Sequence, residues 1–204
     1  MNNIFKPVAR IASILFHPLL IPTLGFVLLF NSGFYFAILP WKIEKYMLIV
    51  VFLSTCVLPA LSIGILALKP GFDVHMEKNS DRILPLMFSS VFYYLGYLIL
   101  KKLPIFPIYN FFLVASILVQ IALLVISMKW KISAHAAAIG GLTGGFFGLA
   151  FRLQENPVAI LIFLVFVAGL VGTSRLILEK HTNWQVYAGF LLGFLMMNLA
   201  FTFI

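Results

Sequence analysis

Residues 134–153 read AHAAAIGGLTGGFFGLAFRL, an apolar stretch long enough to cross a membrane as one helix. A helix of about 20 residues spans a hydrocarbon core of roughly 30 Å. Glycines four residues apart line one face of a helix and let a second helix approach closely. This spacing occurs twice in the stretch and again near the C-terminus, so we predict close packing between these two helices: Gly140, Gly144 and Gly148; Gly141 and Gly145; Gly189 and Gly193.

The stretch is one of seven apolar segments, at residues 8–30, 46–68, 83–100, 108–128, 134–153, 157–178 and 184–204. The chain is 63% hydrophobic and only 10% charged, whereas soluble domains are about half apolar and about a quarter charged. We therefore predict an all-α, polytopic integral membrane helical bundle that forms a single domain over residues 1–204. His17, Pro18 and Pro22 lie inside the first segment, so we expect that segment to be kinked or split.

The formal net charge of +8 is interpreted as loops that face anionic headgroups, not as a nucleic-acid surface. If all seven segments cross, the N-terminus and three of the loops share one side of the membrane. That side carries nine basic residues against five on the other. The positive-inside rule then places the N-terminus and these loops in the cytoplasm.

Three polar clusters fall on this side, where loops meet helices: HMEKNSDR at 75–82, KISAH at 131–135 and SRLILEKHTNWQ at 174–185. Arginines bind phosphate oxygens in a bidentate manner, and helix N-termini attract anions. Arg82 and Arg175 supply the first feature. Ser133 before the fifth segment, and Thr182 or Asn183 before the seventh, suit helix N-caps. Histidines in the clusters offer a nucleophile and a general acid.

Each of these residues has a simpler explanation, because Lys, Arg and His at helix ends often only extend to the headgroups. The clusters together favour an anion site, since three separate loops bring complementary groups to one face. His17 stands apart from them, beside a proline, and is interpreted as a kink or packing residue.

The third cluster carries the spacing S-R-x5-H, from Ser174 and Arg175 to His181. With Ser133-Ala-His135 and Arg82 upstream, the order resembles the type-2 phosphatidic acid phosphatase (PAP2) superfamily, whose pattern is K-x6-R-P, P-S-G-H and S-R-x5-H-x3-D. The resemblance runs from about residue 69 to the C-terminus. It implies a six-helix core over about residues 44–204 preceded by one extra N-terminal segment.

The resemblance also implies a mechanism. His181 would attack phosphorus to form a phosphohistidine, and His135 would protonate the leaving oxygen. The phosphoryl group would be held by residues of all three clusters: Arg82, Arg175, Ser133, Ser174, Lys78 and His75. Substrates of such proteins are usually lipid phosphates and diphosphates, and neither a metal nor a cofactor is needed.

The chain departs from the superfamily pattern at several positions. His75 stands at the lysine position of the first motif, and the proline after the arginine is displaced to Pro85. Ala134 replaces the glycine of the second motif. Gln185 replaces the aspartate that would orient the imidazole and stabilise its charge. Gln185 can orient the ring through a hydrogen bond, but it supplies no charge, and Glu179 or Glu77 would have to provide one.

Two hypotheses follow, of which the enzyme is favoured. The first is a lipid phosphate phosphatase of a bacterial inner membrane. The second is a catalytically impaired relative that binds a lipid phosphate or serves as a scaffolding subunit for a protein partner in a membrane complex. A transporter is less favoured, because the segments lack midplane charges and paired broken helices.

Overall fold

The computed structural model describes residues 2–73, 76, 78 and 80–203. The described residues form helices and connecting turns and contain no strand. The helices are α1 (Asn2–Leu15), α2 (Ile21–Phe30), α3 (Trp41–Phe52), α4 (Leu58–Ala67), α5 (Ser80–Leu100), α6 (Pro107–Ser127), α7 (Ala134–Leu153), α8 (Val158–Ile177) and α9 (Asn183–Thr202). Their contacts divide the chain into two compact units. The first comprises Met1–Ile21, Ser32–Phe34 and Ile132–Ile204, and the second comprises Pro22–Asn31 and Tyr35–Lys131.

Six helices in the described part of the chain are long and apolar enough to cross a membrane, and they correspond to the second to seventh of the seven predicted segments. The prediction of an all-helical integral membrane protein is therefore confirmed. The first predicted segment is not one helix, because it divides into α1 and α2 around His17 and Pro18. Steric clash with the proline ring disfavours the helical conformation of the residue that precedes it. The ten residues of α2 span only about 15 Å, too little for a full crossing.

The second predicted segment is a continuous helix, Trp41–Ala67, with a π-helical turn at Leu53–Val57. Pro59 follows this turn at the start of α4. A proline inside a helix removes one backbone hydrogen bond and crowds the preceding turn. A π turn is one of the ways in which a helix accommodates such a disturbance without ending. The helix thus keeps its membrane-spanning length in spite of the proline.

Close packing of α7 against α9 dominates the first unit, and the glycines make it possible. Gly140, Gly144 and Gly148 lie against the backbones of Phe190, Phe194 and Asn198 in turn. Residue numbers rise together on the two helices, so α7 and α9 run parallel and begin at the same end. On the other helix, Gly189 and Gly193 lie against the carbonyl oxygens of Ser133 and Ala137. The predicted small-residue contact is present.

Helix α1 packs against α8 in the same unit. Its inward face consists of small residues at helical spacing, Ala9, Ala12 and Ser13, all of which are buried. Small side chains at such positions let two helices approach closely. The outward face carries large apolar residues instead: Ile4, Val8, Ile11 and Leu15. This arrangement brings the C-terminal end of α1 to the N-terminal end of α7.

We expect Gly144→Ala to destabilise the fold strongly. A Cβ at this position would collide with the backbone of Phe194, which cannot turn away as a flexible side chain could. Overpacking of this kind costs about 3 kcal/mol. The measurement is the apparent Tm of the protein purified in detergent.

Gly169→Ala is the matched control. Gly169 is exposed on α8, and a Cβ there has no neighbour within 4 Å among the described residues. This variant should melt at the temperature of the wild type or slightly above it. Equal Tm values for the two glycine variants would contradict the packing described for α7 and α9.

Candidate functional site

The N-termini of α7 and α9 lie side by side and are joined by a backbone hydrogen bond. Ser133 N–H donates to the Gln185 carbonyl oxygen at 3.2 Å. Ser133 is the N-cap of α7, and its hydroxyl oxygen accepts a hydrogen bond from Ala136 N–H at 3.3 Å. The predicted cap is therefore present. Two helix N-termini at one place combine their unpaired N–H groups and positive dipole ends, which favours a bound anion.

Two capping motifs form the connection between α8 and α9. At the end of α8, Lys180 N–H donates to Arg175 O and Glu179 N–H donates to Leu176 O. Glu179 has φ 54°, the left-handed conformation that ends a helix in a Schellman motif and that glycine usually adopts. Thr182 is the N-cap of α9 and forms a capping box with Gln185. His181 is the one residue between these motifs.

Gln185 fixes the orientation of His181. Its Oε1 accepts hydrogen bonds from Thr182 N–H at 3.1 Å and from His181 Nδ1 at 3.2 Å. A backbone N–H can only donate, so the Gln185 atom at this position is the carbonyl oxygen. His181 Nδ1 must then carry a proton, which leaves the lone pair of the neutral ring on Nε2. Gln185 makes the contact that the predicted orienting role requires, and that role stays a prediction; Glu179 is exposed.

Four basic side chains gather in this unit: His17, His135, Arg175 and His181. The rings of His17 and His135 meet edge to face with centroids 5.1 Å apart. The charge of Arg175 acts on both of these rings, and His181 lies within electrostatic range of His135. His135 Nε2 lies 3.2 Å from the carbonyl oxygen of Ser13 on α1. The structure thus brings together both predicted catalytic histidines and one of the two predicted arginines.

His17 lies at the break between α1 and α2, as expected of a kink or packing residue, and the partner on which its ring packs is His135. Its Nδ1 accepts a hydrogen bond from Leu19 N–H at 3.3 Å, so the proton of the neutral ring is on Nε2. Burial and, to a smaller extent, the positive charge of Arg175 lower the pKa of His17 below its ordinary value. The His17-Pro18 pair in the sequence indicates the end of a helix. A histidine at such a position can contact polar groups at the ends of neighbouring helices.

The two predicted serines differ in what their hydroxyl groups can do. The Ser133 oxygen acts as acceptor in the cap, so the hydroxyl can still donate its own proton. Ser174 is buried, and its hydroxyl donates to Leu170 O at 2.7 Å within α8. A phosphate-binding role for Ser174 stays a prediction, and it would require this hydrogen bond to break.

Arg82 and Lys78, which were predicted around the first motif, belong to the second unit. Arg82 lies in the first turn of α5, where its Nε donates to Met76 O at 3.1 Å. Lys78 is exposed. His75 and Glu77 lie outside the described residues. A place for Arg82, Lys78 and His75 in the phosphate site stays a prediction.

The chain is a helical integral membrane protein with histidines and an arginine at paired helix N-termini. Among the described residues, no group of three or more His, Cys, Asp or Glu side chains could hold a metal ion. Residues 126–204 match the model of the PAP2 superfamily. The match supports the resemblance over residues 126–204 and indicates a phosphatase-type function at the membrane. The match includes the second and third motifs but not Arg82.

No curated protein and no solved structure matches the chain significantly.

We expect the stability of the fold to depend on the protonation of His17, which faces Arg175 of α8 and His135 of α7. Because its folded-state pKa lies below the ordinary value of 6.5, the unfolded chain binds more protons between these two values. The contribution of His17 is therefore present above pH 6.5 and is lost as the pH falls through the lowered pKa.

The apparent Tm at about pH 7.5 and about pH 5.5 tests this expectation. His17→Phe keeps an aromatic ring but cannot titrate, so its Tm should fall less on acidification than that of the wild type. An equal fall in both proteins would show that His17 does not take up the proton.

Proposed function

We propose that the protein is a membrane phosphatase that hydrolyses a lipid phosphate or diphosphate through a phosphohistidine at His181. The observation that carries this proposal is the contact between Gln185 Oε1 and His181 Nδ1. It selects the tautomer whose Nε2 bears the lone pair, and Nε2 is the atom that would attack phosphorus. Arg175 and the N-termini of α7 and α9 would stabilise the negative charge of the phosphoryl group.

The same contact explains how the site can work without the superfamily aspartate. In a serine protease, replacing the triad aspartate with its amide lowers the rate about ten-thousandfold, largely because the amide selects the wrong histidine tautomer. Here Thr182 N–H holds the amide with its oxygen toward the ring. This is the tautomer that the proposed mechanism requires, and the charge of an acid is what the site would lack.

The reaction proceeds in two displacements. In the first, the bond from His181 Nε2 to phosphorus forms while the bond from phosphorus to the leaving oxygen breaks. A proton from His135 passes to that oxygen, which departs as the lipid alcohol or as the shorter lipid phosphate. In the second, water gives a proton to His135 and attacks phosphorus, so the nitrogen–phosphorus bond breaks and phosphate leaves. Each group returns to its starting state, and neither oxidant nor metal is consumed.

A second candidate function is a lipid-phosphate-binding or scaffolding subunit with impaired catalysis. The neutral side chain of Gln185 favours it, since no negative charge stabilises the imidazolium that forms when His181 attacks. Such a protein would keep the anion site and act on a protein partner in a membrane complex. The two candidates differ in whether bound phosphate is turned over.

We place the protein in a bacterial cytoplasmic membrane, with the N-terminus and the site loops on the cytoplasmic side. Because α2 is too short for a full crossing, the N-terminus is left out of the count, and the site side then carries seven basic residues against five on the other side, which supports this orientation. The substrate would then be drawn from the inner leaflet.

We expect His181→Ala to abolish phosphate release, by at least about a thousandfold, because it removes the nucleophile. Gln185→Glu should raise kcat roughly tenfold, since a charged hydrogen bond to the imidazolium is stronger than a neutral one and glutamate keeps the reach of glutamine. Release of phosphate is measured with purified protein in detergent on undecaprenyl diphosphate, phosphatidic acid, phosphatidylglycerol phosphate and lipid A.

Thr182→Ala is the control for damage to the cap of α9. It removes the capping hydroxyl, at a cost of about 1 kcal/mol, but leaves the backbone N–H that holds Gln185. Its Tm should fall while kcat stays near that of the wild type. Activity that appears only in Gln185→Glu would favour the second candidate. Absence of turnover in every variant would refute the phosphatase.

A further inference from the structure

The turn that ends α1 reaches the candidate site from outside the region that matches the superfamily. Ser13 and His17 precede the matched residues by more than a hundred positions, yet both contact His135. The turn is held by its own backbone: Phe16 N–H donates to Ala12 O at 3.0 Å, and Leu20 N–H donates to His17 O at 2.8 Å. The position of His17 is therefore fixed by the hydrogen bonds of this turn and by the packing of α1 against α8.

The contact with Ser13 determines which nitrogen of His135 can exchange a proton with a substrate. A backbone carbonyl accepts hydrogen bonds and takes up no proton, so His135 Nε2 is the donor at 3.2 Å. While this bond lasts, the proton that moves in catalysis must be the one on Nδ1. The Ser13 carbonyl dipole would also stabilise the imidazolium once both nitrogens carry protons.

The contact with His17 constrains the plane of the same ring. The two rings stand at 83°, an edge-to-face arrangement that aromatic pairs favour. The bond from Leu19 N–H to His17 Nδ1 favours the neutral form of His17, because protonation of Nδ1 would break it. A neutral neighbour matters here, since a charged His17 would repel both Arg175 and a protonated His135.

We propose that the segment from Ser13 to His17 positions His135 as the proton donor of the reaction, with Ser13 O holding Nε2–H and the His17 ring fixing the plane, so that Nδ1 serves the leaving oxygen. This proposal rests on the proposed phosphatase function. His17 and the backbone of Ser13 act through His135 and are positioning groups. In the first displacement the Nδ1 proton goes to the leaving oxygen as its bond to phosphorus breaks; in the second, water returns a proton to Nδ1.

Two substitutions of His17 separate positioning from a structural role in the turn. His17→Phe keeps a ring beside His135 but loses the acceptor for Leu19 N–H. His17→Asn keeps an acceptor for the turn but loses the ring. Ile11→Ala, on the exposed outward face of α1, is the control for general effects on this helix. The Tm of each variant shows whether it is folded.

Positioning predicts that His17→Asn lowers kcat by about 10- to 100-fold, as a misplaced catalytic group does, while KM changes little. His17→Phe should retain kcat to within about threefold, because the ring contact remains. The opposite order, with Asn active and Phe impaired, would show that His17 serves only the turn. A rise in KM at constant kcat in either variant would show that His17 binds substrate instead, and would also overturn the proposal.

A second readout requires no turnover. With ¹⁵N-labelled histidine, the neutral His135 ring of the wild type and of His17→Phe should show a protonated Nε2 and an unprotonated Nδ1, and His17→Asn should show exchange between the tautomers. A wild type with this signature but without phosphate release would contradict the proposed function alone. A protonated Nδ1 and an unprotonated Nε2 in the neutral wild-type ring would overturn the positioning proposal even if the enzyme is active.

Discussion

The parallel contact between α7 and α9 is the constraint on which the candidate site depends. Glycine at five positions lets the two backbones meet without side chains between them. Because the helices run in the same direction, their N-termini lie at one end, and the hydrogen bond between Ser133 and Gln185 joins them there. His135 and His181 follow from this register, since each occupies a position next to one of these N-termini.

In this candidate site, the group that orients the His181 ring does not supply the negative charge that would stabilise its imidazolium. In a histidine–carboxylate pair, one side chain both selects the tautomer and stabilises the imidazolium. Gln185 performs the first task through its carbonyl oxygen and leaves the second undone. The surrounding groups are basic, which favours an anionic ligand but does not replace the missing acid. A dianionic phosphoryl group beside Arg175 would itself supply negative charge near His135.

Much of the fold was predictable from the sequence, because length and hydropathy determine membrane-spanning helices almost alone. The bounds of α7 were predicted without error, and the glycine spacing predicted its contact with α9. Ser133 and the S-R-x5-H element led to the confirmed superfamily region. The prolines predicted that the first segment is kinked or split. They did not show whether the resulting helices cross the membrane. Contacts between distant segments have no local signature, so the sequence predicted packing at His17 but not that its partner is His135.

The orientation of Gln185 was also beyond the sequence, because an amide can turn either its oxygen or its nitrogen toward a ring. The capping box resolves that choice through a backbone N–H that belongs to Thr182. The place of Arg82 in the site is a different case. The position of Arg82 depends on tertiary packing, which local sequence patterns do not encode. The residues that match the superfamily, 126–204, do not include Arg82.

The two caps between α8 and α9 have a consequence for how the S-R-x5-H spacing should be understood. Lys180 N–H closes the Schellman motif on the carbonyl oxygen of Arg175, and Thr182 already begins the next helix. The interval from Arg175 to His181 is therefore the length of chain needed to end one helix and start another. The geometry of the helix hairpin alone would preserve the interval from Arg175 to His181 in a related protein without catalytic activity. In such proteins the spacing is evidence for the architecture, and the partners of the imidazole are evidence for the enzyme.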